Sequence, residues 1–267
     1  LRQVRGKRPD IDPKNPDVWI RARLFKDRLH LAWDSSGTAL HKRGYRRQAG
    51  IAPLRETLAA ALLRCAGYDG STALLDPLCG SGTIVIEGAM MARAIPPGLG
   101  RAKGDGFAFQ RSADFDVGSF ADYLDELEAK IIRFAPQTIF GSDRDAKEVV
   151  VARSNARAAG VGDDIRWGNS DFLARTPLSE SVETLLVGNP PYGERMSDRA
   201  TAEGLLKTLG DHLKSEFTGH RAALILGDPK LVGAVGLRPT TRLALKFAKL
   251  DARIVTFDLY EGSQKTR

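Results

Sequence analysis

The sequence predicts an α/β fold built on a doubly wound, mostly parallel β-sheet. The main observation is a regular alternation of short apolar strands with helical stretches, which runs from about residue 73 to residue 227. A second is that the apolar strand at residues 73–76 leads into a glycine-containing turn and then a helix. A third is that no helix separates the last two strands, which predicts an antiparallel hairpin at one edge of the sheet.

The segment before the sheet is predicted to be a small separate unit. Alternating apolar residues over 18–33, with a turn at Lys26 and Asp27, predict a two-stranded hairpin with one apolar face. Such a hairpin is too small to be stable alone. Residues 34–50 are predicted to be a linker with basic side chains that face nucleic acid. These side chains are Lys42, Arg43, Arg46 and Arg47.

The remaining elements follow in chain order. A helix is predicted over residues 54–65, with Pro53 at its start and Gly67 as its stop signal. Strands are predicted at residues 73–76, 138–142, 164–167, 184–188, 222–227, 242–249 and 253–260. Helices are predicted at residues 83–94, 120–133, 146–159 and 201–217. An insertion over residues 94–120 is predicted to be a surface loop in the crossover to the second strand of the sheet.

The composition favours a nucleic-acid partner and excludes several classes of protein. Forty Lys and Arg against 33 Asp and Glu give a formal net charge of +7. No apolar run approaches the ~18 residues that a membrane span needs. The two cysteines, Cys65 and Cys79, cannot form a disulfide framework, and the four histidines lack metal-ligand spacing. We therefore expect a cytoplasmic protein with no bound metal and no membrane insertion.

The first strand-to-helix turn of the sheet predicts a ligand-binding loop. In a doubly wound sheet, ligands bind where the strands end, and residues 74–83 here read Leu-Leu-Asp-Pro-Leu-Cys-Gly-Ser-Gly-Thr. Gly80 and Gly82 allow a close backbone approach to a ligand, and the following helix offers free N–H groups. Val85 replaces the third glycine of a dinucleotide fingerprint, and the turn lacks the Lys-Ser/Thr ending of a P-loop. The turn therefore favours neither NAD nor ATP.

Two further strand ends carry residues suited to a nucleoside. Asp143 closes the second strand of the predicted sheet, where a carboxylate could accept hydrogen bonds from both hydroxyls of a ribose. Asp171 and Phe172 follow the third strand, and they could hold the amino edge and the face of an adenine.

The fourth strand end, Asn189-Pro190-Pro191-Tyr192, predicts methylation of an exocyclic amine on a base. The lone pair of such a nitrogen is delocalised into the ring, so an enzyme must make the nitrogen pyramidal. The Asn189 side-chain oxygen and the Pro190 carbonyl could do this as two acceptors aimed at the two N–H groups. The two prolines restrict φ and remove competing N–H groups. Tyr192 could stack on an extruded base.

These residues together resemble the class I S-adenosylmethionine-dependent methyltransferases, and more narrowly the THUMP-associated RNA guanine-N2 methyltransferases. The similarity spans nearly the whole chain and includes Gly44-Tyr45-Arg46 and residues 52–58. The Pro96-Pro97-Gly98-Leu99 segment is similar to that of the bacterial 23S rRNA branch. The resemblance implies a Rossmann-like class I methyltransferase fold, with seven strands and an antiparallel edge hairpin, over residues 44–267. It also implies that residues 1–43 are the end of a THUMP domain and a linker.

The resemblance further implies a role for each residue that matches the family pattern. Asp76 and the Gly80–Gly82 turn would hold the methionine part of S-adenosylmethionine, Asp143 its ribose, and Asp171 with Phe172 its adenine. The implied cofactor-binding set is Pro53, Thr57, Asp76, Pro77, Cys79, Gly80, Ser81, Gly82, Thr83, Asp143, Arg144, Asp171, Phe172 and Asn189. The implied catalytic set, which would hold the target guanine, is Asn189, Pro190, Pro191 and Tyr192.

The reaction expected from the resemblance is methyl transfer to guanine N2 in 23S rRNA, either as free RNA or in a ribosome assembly intermediate. Two alternatives stay open. The same acceptor pair would serve guanine N2 or adenine N6 in transfer RNA. A catalytically idle RNA-binding module that uses its positive charge in ribosome assembly would also bind RNA in a salt-sensitive way.

Overall fold

The chain forms a two-stranded hairpin followed by a seven-stranded sheet with helices on both faces. The computed structural model describes residues 6, 10–14, 16–47, 54–191, 196–247 and 250–261. The strands are β1 (Trp19–Phe25), β2 (Arg28–Asp34), β3 (Ala73–Asp76), β4 (Ile139–Asp143), β5 (Ile165–Asn169), β6 (Thr184–Gly188), β7 (Arg221–Leu226), β8 (Thr241–Phe247) and β9 (Leu250–Asp258). The helices are α1 (Glu56–Cys65), α2 (Thr83–Ala92), α3 (Leu99–Lys103), α4 (Val117–Glu128), α5 (Ala146–Ala158) and α6 (Met196–Glu216).

The large sheet has the strand order β5-β4-β3-β6-β7-β9-β8. Strands β3 to β7 are parallel to one another, while β9 runs antiparallel to both of its neighbours. The predicted doubly wound sheet with an antiparallel edge hairpin is therefore confirmed. The order reverses between β3 and β6, which is the place where a doubly wound sheet binds its ligands.

Two apolar cores lie on opposite faces of the sheet. Because successive strand residues point to opposite faces, Leu74 of β3 packs with α1, α2 and α5, whereas Leu75 packs with α6 and the 3-10 helix Pro229–Val235. Every residue of β3 and β6 is buried. Apart from Asp76 at the end of β3 and Thr184 at the start of β6, both strands lack polar side chains and show no polar alternation, as parallel strands covered on both faces require.

A glycine in α6 allows this helix to touch the 3-10 helix directly. A Cβ atom added at Gly210 would lie 1.7 Å from the backbone carbonyl oxygen of Val235. A backbone atom cannot relieve the clash by a change of rotamer. We expect Gly210→Ala to lower the free energy of unfolding by about 2–4 kcal/mol. Gly204→Ala in the same helix meets no atom within 4 Å, and it should raise the stability by ~0.5–1 kcal/mol. Urea unfolding of both variants checks the contrast, and an equal effect of the two would contradict it.

The hairpin of β1 and β2 closes through the predicted two-residue turn. Lys26 and Asp27 have φ values of 47° and 57°, which is the left-handed pair of a type I′ turn. The pairing of Leu24 with Leu29 and of Ile20 with Trp33 places these four apolar residues on one face, whereas Trp19 and Phe25 lie on the other. The former face is exposed, since Ile20 and Leu24 are each 72% accessible. That the hairpin is the end of a THUMP domain stays a prediction.

The insertion after α2 is more ordered than the surface loop that the sequence predicts. It contains α3, the 3-10 helix Ala108–Arg111 and α4, with a cluster of stacked and edge-on phenylalanines. Helix α4 begins before the predicted residue 120 because the Asp116 carboxylate caps it by accepting from the Ser119 N–H at 3.1 Å. Arg101 and the backbone N–H of Ala108 donate to the Ser36 carbonyl, so the insertion holds the segment that follows the hairpin.

Candidate active site

Polar residues gather at the carboxyl ends of four neighbouring strands. Asp76 ends β3, Asp143 ends β4, Asn169 ends β5 and Asn189 directly follows β6. These strands are adjacent and parallel, so their carboxyl ends lie at one edge of the sheet. The structure therefore brings together at this edge the strand ends that the sequence analysis selected.

The turn between β3 and α2 is open on one side and tightly packed on the other. Gly80 has a φ of 50°, and a Cβ added there would meet no atom of the described residues within 4 Å. Gly82 has a φ of 84°, and an added Cβ would lie 2.9 Å from the Cβ of Ala152 and 3.0 Å from the Trp167 ring. No side chain among the described residues caps the first turn of α2, so its N–H groups can bind a ligand.

Asp143, at the end of β4, holds the turn between β3 and α2 through a hydrogen bond. The Gly80 N–H donates to Asp143 Oδ2 at 3.0 Å, and the Asp145 N–H donates to Asp143 Oδ1 at 2.9 Å. The Asn169 side-chain amide donates to the Asp143 carbonyl at 2.9 Å. Each carboxylate oxygen keeps lone-pair capacity for another donor, so Asp143 remains suited to the predicted ribose contact.

Asp76 is a buried carboxyl group at the base of the turn. Its side chain is 1% exposed and accepts from the Leu78 N–H at 3.1 Å. The pKa of Asp76 is raised to about 8, mainly by burial and to a smaller extent by the nearby charge of Asp143. Without a cationic partner, Asp76 is therefore largely protonated at neutral pH.

Cys79 does not have the environment of a nucleophile. Burial raises the pKa of its thiol well above the ordinary value, and the carboxylates of Asp76 and Asp143 add to the shift. The thiolate is the reactive form, so this cysteine packs in the turn as a neutral group.

Asn189 has an acceptor that the rest of the described chain leaves unused. Its Oδ1 atom is buried, and no donor among the described residues reaches it. Burying such an atom without a partner costs about 1–3 kcal/mol. Pro190 is buried and Pro191 is exposed. Tyr192 lies outside the described residues, as does Pro53 of the predicted cofactor-binding set.

The basic segment before α1 turns two of its arginines inward. Arg43 donates to Glu87 at 3.4 Å, and Arg46 donates to Glu56 at 2.9 Å. The side chains of these arginines are only 11% and 17% exposed. The expectation that they face nucleic acid is therefore wrong, because buried carboxylates in α1 and α2 engage them. Lys42 and Arg47 are exposed.

The other predicted site residues lie around the same turn with different degrees of burial. Pro77 is buried, Thr57 is half-buried in the first turn of α1, and Arg144 is exposed. Asp171 is exposed and caps a short 3-10 helix by accepting from the Leu173 N–H at 3.0 Å. Phe172 is 6% exposed and packs near His212. Its ring belongs to the core, and its contact with adenine stays a prediction.

Two polar residues near the turn were missed by the sequence analysis. The Asn155 side chain donates to the Ser81 carbonyl and accepts from the Arg47 N–H, both at 3.1 Å. Glu87 accepts from the Tyr45 hydroxyl at 3.0 Å, and burial raises the pKa of Glu87. Both lie at core-facing positions of otherwise apolar helix faces. A polar residue at a position that the helical periodicity assigns to the core is the sequence feature that could have identified both residues.

The described residues contain no group of three or more His, Cys, Asp or Glu side chains that could hold a metal ion. Within the same residues, no helix is long and apolar enough to cross a membrane.

These features fit S-adenosylmethionine. The turn offers an open backbone surface at Gly80, the uncapped start of α2 and the buried carboxyl of Asp76. Asp143 could accept from ribose hydroxyls, and Asn189, after the strand β6 beside β3, presents an acceptor that no described residue uses.

Comparison with known proteins identifies relatives over nearly the whole chain. Residues 43–255 match the family model described as the RMKL-like methyltransferase domain. The ribosomal RNA large subunit methyltransferase K/L of Vibrio parahaemolyticus is 37% identical over 259 residues, which are 96% of this chain and 36% of that protein. The chain thus spans about a third of the length of this relative.

Solved structures show the same architecture. A possible methylase from Clostridium difficile 630 has a TM-score of 0.83 at 28% identity, and the match covers 99% of this chain and 68% of that one. SMU.472, whose crystal structure contains SAH, has a TM-score of 0.81 at 26% identity, and the match covers 94% of this chain and 64% of that one. SAH is the product that S-adenosylmethionine leaves after methyl transfer.

Proposed function

The chain belongs to the RMKL-like methyltransferase domain family, and from this premise we propose that it transfers a methyl group from S-adenosylmethionine to guanine N2 in 23S rRNA. The observation that carries the proposal is the buried Oδ1 of Asn189 at the end of β6, which no donor among the described residues reaches. Leaving this acceptor without a donor is unfavourable in the free protein. A base with an exocyclic amine supplies the missing donor.

The neighbouring residues suit the same task. The first of the two prolines is buried, and neither proline has an N–H that would compete for the acceptors. Asn189 Oδ1 and the Pro190 carbonyl would accept from the two N–H groups of the amine and draw its nitrogen out of conjugation with the ring. No strong general base is required, because the proton leaves after the methyl group has arrived.

S-adenosylmethionine supplies an electrophilic methyl group on a sulfonium ion when it is bound. The residues that would hold it are Asp76 and the Gly80–Gly82 turn at β3, with Asp143 at β4. Strand β6 is hydrogen-bonded to β3, so the proposed amine-binding acceptor lies at the strand end next to the proposed cofactor site. This juxtaposition is what methyl transfer between the two sites requires.

RNA is proposed as the substrate because of the positive net charge of the chain and its sequence similarity to a ribosomal RNA methyltransferase. The net charge of +7 favours a polyanionic substrate. The Vibrio relative is named for the RNA of the large ribosomal subunit, and its similarity supports that RNA as the substrate of this chain.

The proposal is tested with isotope-labelled S-adenosylmethionine and unmodified 23S rRNA transcribed in vitro, followed by digestion and mass spectrometry of the nucleosides. We expect labelled N2-methylguanosine. Binding of SAH is measured by calorimetry in the same protein sample. Transfer RNA and large ribosomal subunits from cells that lack the modification serve as parallel substrates.

Each other result would contradict a stated part of the proposal. Labelled N6-methyladenosine would show that the acceptor pair serves adenine. Label in transfer RNA alone would exclude the ribosomal substrate. SAH binding without transfer to any of these RNAs would favour the idle RNA-binding module.

A further inference from the structure

We propose that Arg46 is a positioning residue that orients two hydroxyl groups of the cofactor loop and thereby sets the affinity for S-adenosylmethionine. The cofactor loop is defined here as residues 79–83. The inference rests on the proposed placement of the cofactor in this loop. It assigns Arg46 a role other than the RNA contact that its charge suggests.

Arg46 joins three parts of the structure through one guanidinium group. Its Nη1 donates to Ser81 Oγ at 3.2 Å, and its Nη2 donates to Thr83 Oγ1 at 3.0 Å. Nη2 also donates to the Leu54 carbonyl at 2.8 Å, while Nε donates to Glu56 at the start of α1 at 2.9 Å. The planar fork of a guanidinium can make these contacts together, whereas an ammonium cannot.

These contacts determine what the two hydroxyl groups can still do. A hydroxyl has one proton to donate and two lone pairs. Because the Ser81 and Thr83 oxygens both accept from Arg46, their protons point away from the guanidinium. Neither hydroxyl donates to an acceptor among the described residues. Both side chains are buried, with Ser81 6% and Thr83 4% exposed, and their protons are the donors that the proposal assigns to an acceptor group of the cofactor beside Gly80.

The charge of Arg46 argues against a role in helix stability alone. A cation near the N-terminus of α2 opposes the helix dipole, so the helix itself gains nothing from this charge. Glu56, which is 4% exposed, compensates for it. The backbone N–H of the adjacent Arg47 donates to the Asn155 side-chain oxygen, and the Asn155 side-chain amide donates to the Ser81 carbonyl. The segment before α1 therefore constrains Ser81 along two separate paths.

The test compares SAH affinity, measured by calorimetry, for wild type, Arg46→Ala, Arg46→Lys and Arg64→Ala. Arg64 is the matched control, since it is an exposed arginine in the last turn of α1. We expect Arg46→Ala to weaken SAH binding by ~10-fold or more, which is the loss typical of charge-assisted hydrogen bonds. Arg46→Lys retains the charge beside Glu56 but not the fork, so we expect a weakening of several-fold. Arg64→Ala should bind as wild type does.

Steady-state kinetics separate positioning from general damage. We expect the KM for S-adenosylmethionine to rise in parallel with the SAH dissociation constant, while kcat at saturating cofactor stays within about twofold for Arg46→Lys. Wild-type SAH affinity in a folded Arg46→Lys protein would overturn the proposal, and so would a lowered kcat with an unchanged KM. The SAH measurement contains no RNA, so failure of the guanine assignment leaves it intact.

Discussion

Replacing Asn189 by alanine is expected to lower kcat by ~10²–10³-fold, the usual effect of removing one preorganised hydrogen-bonding group from a transition state. SAH affinity should change by less than about twofold. The reason is that no described residue donates to Oδ1 of this residue, so its removal breaks no hydrogen bond to that atom within the described structure. In the reaction, the same atom accepts from the amine as its nitrogen becomes pyramidal.

Single-turnover methylation of RNA and calorimetry with SAH measure the two effects separately. Asn189→Asp serves as the matched variant because it keeps an acceptor oxygen at the same position, and it should retain more activity than the alanine variant. A loss of SAH affinity equal to the loss of turnover would contradict the role, since Asn189 would then act on the cofactor. An alanine variant with full turnover would exclude the residue from the chemistry.

Replacing Asp76 by asparagine is expected to weaken SAH binding by ~10–100-fold, the loss expected for one charged hydrogen bond. The free protein should nevertheless stay folded. An asparagine has the shape of the protonated carboxyl and can still accept from the Leu78 N–H. It cannot ionise, however, and Asp76 would hold the methionine part of the cofactor by pairing as a carboxylate with its ammonium group.

The same residue predicts how stability depends on pH. The folded-state pKa of Asp76 is about 8, whereas its ordinary value is 3.8. Between these values the folded state holds a proton that the unfolded state has lost, so the stability contribution of Asp76 falls as pH rises. The slope within the window is ~1.4 kcal/mol per pH unit. The contribution is fully present below the unfolded pKa and is lost once pH has passed the folded pKa.

Thermal unfolding of the unliganded protein from pH 5 to pH 9 checks this dependence. The asparagine variant should lack the decline that Asp76 causes and should be the more stable protein near pH 8. Calorimetry of SAH binding at pH 7 in buffers of different ionisation enthalpy should show proton release for wild type and less for the variant. Identical pH profiles, or equal proton release, would contradict the assignment.

Local sequence patterns already predicted the sheet and the strand ends that form the site. The interior positions of β3 and β6 are apolar because both faces are covered, and a glycine or asparagine turn follows each strand. The turn at Lys26 and Asp27 and the edge hairpin also follow from near neighbours in sequence. Such patterns are readable because the residues that specify them lie within a few positions of one another.

The contacts that make these strand ends a site depend on residues far apart in the chain. Arg46 lies 37 positions from Thr83, the Arg47 N–H lies 108 positions from the Asn155 side chain that it meets, and Gly80 lies 63 positions from Asp143. A charge pattern shows that an arginine is present, but only the packing of α1 against α2 shows that it points inward. Tertiary packing likewise places Phe172 in the core and leaves Asn189 Oδ1 without a donor among the described residues. These outcomes were decided by tertiary structure, because a polar atom's partners are set by which elements pack together and not by its neighbours in sequence.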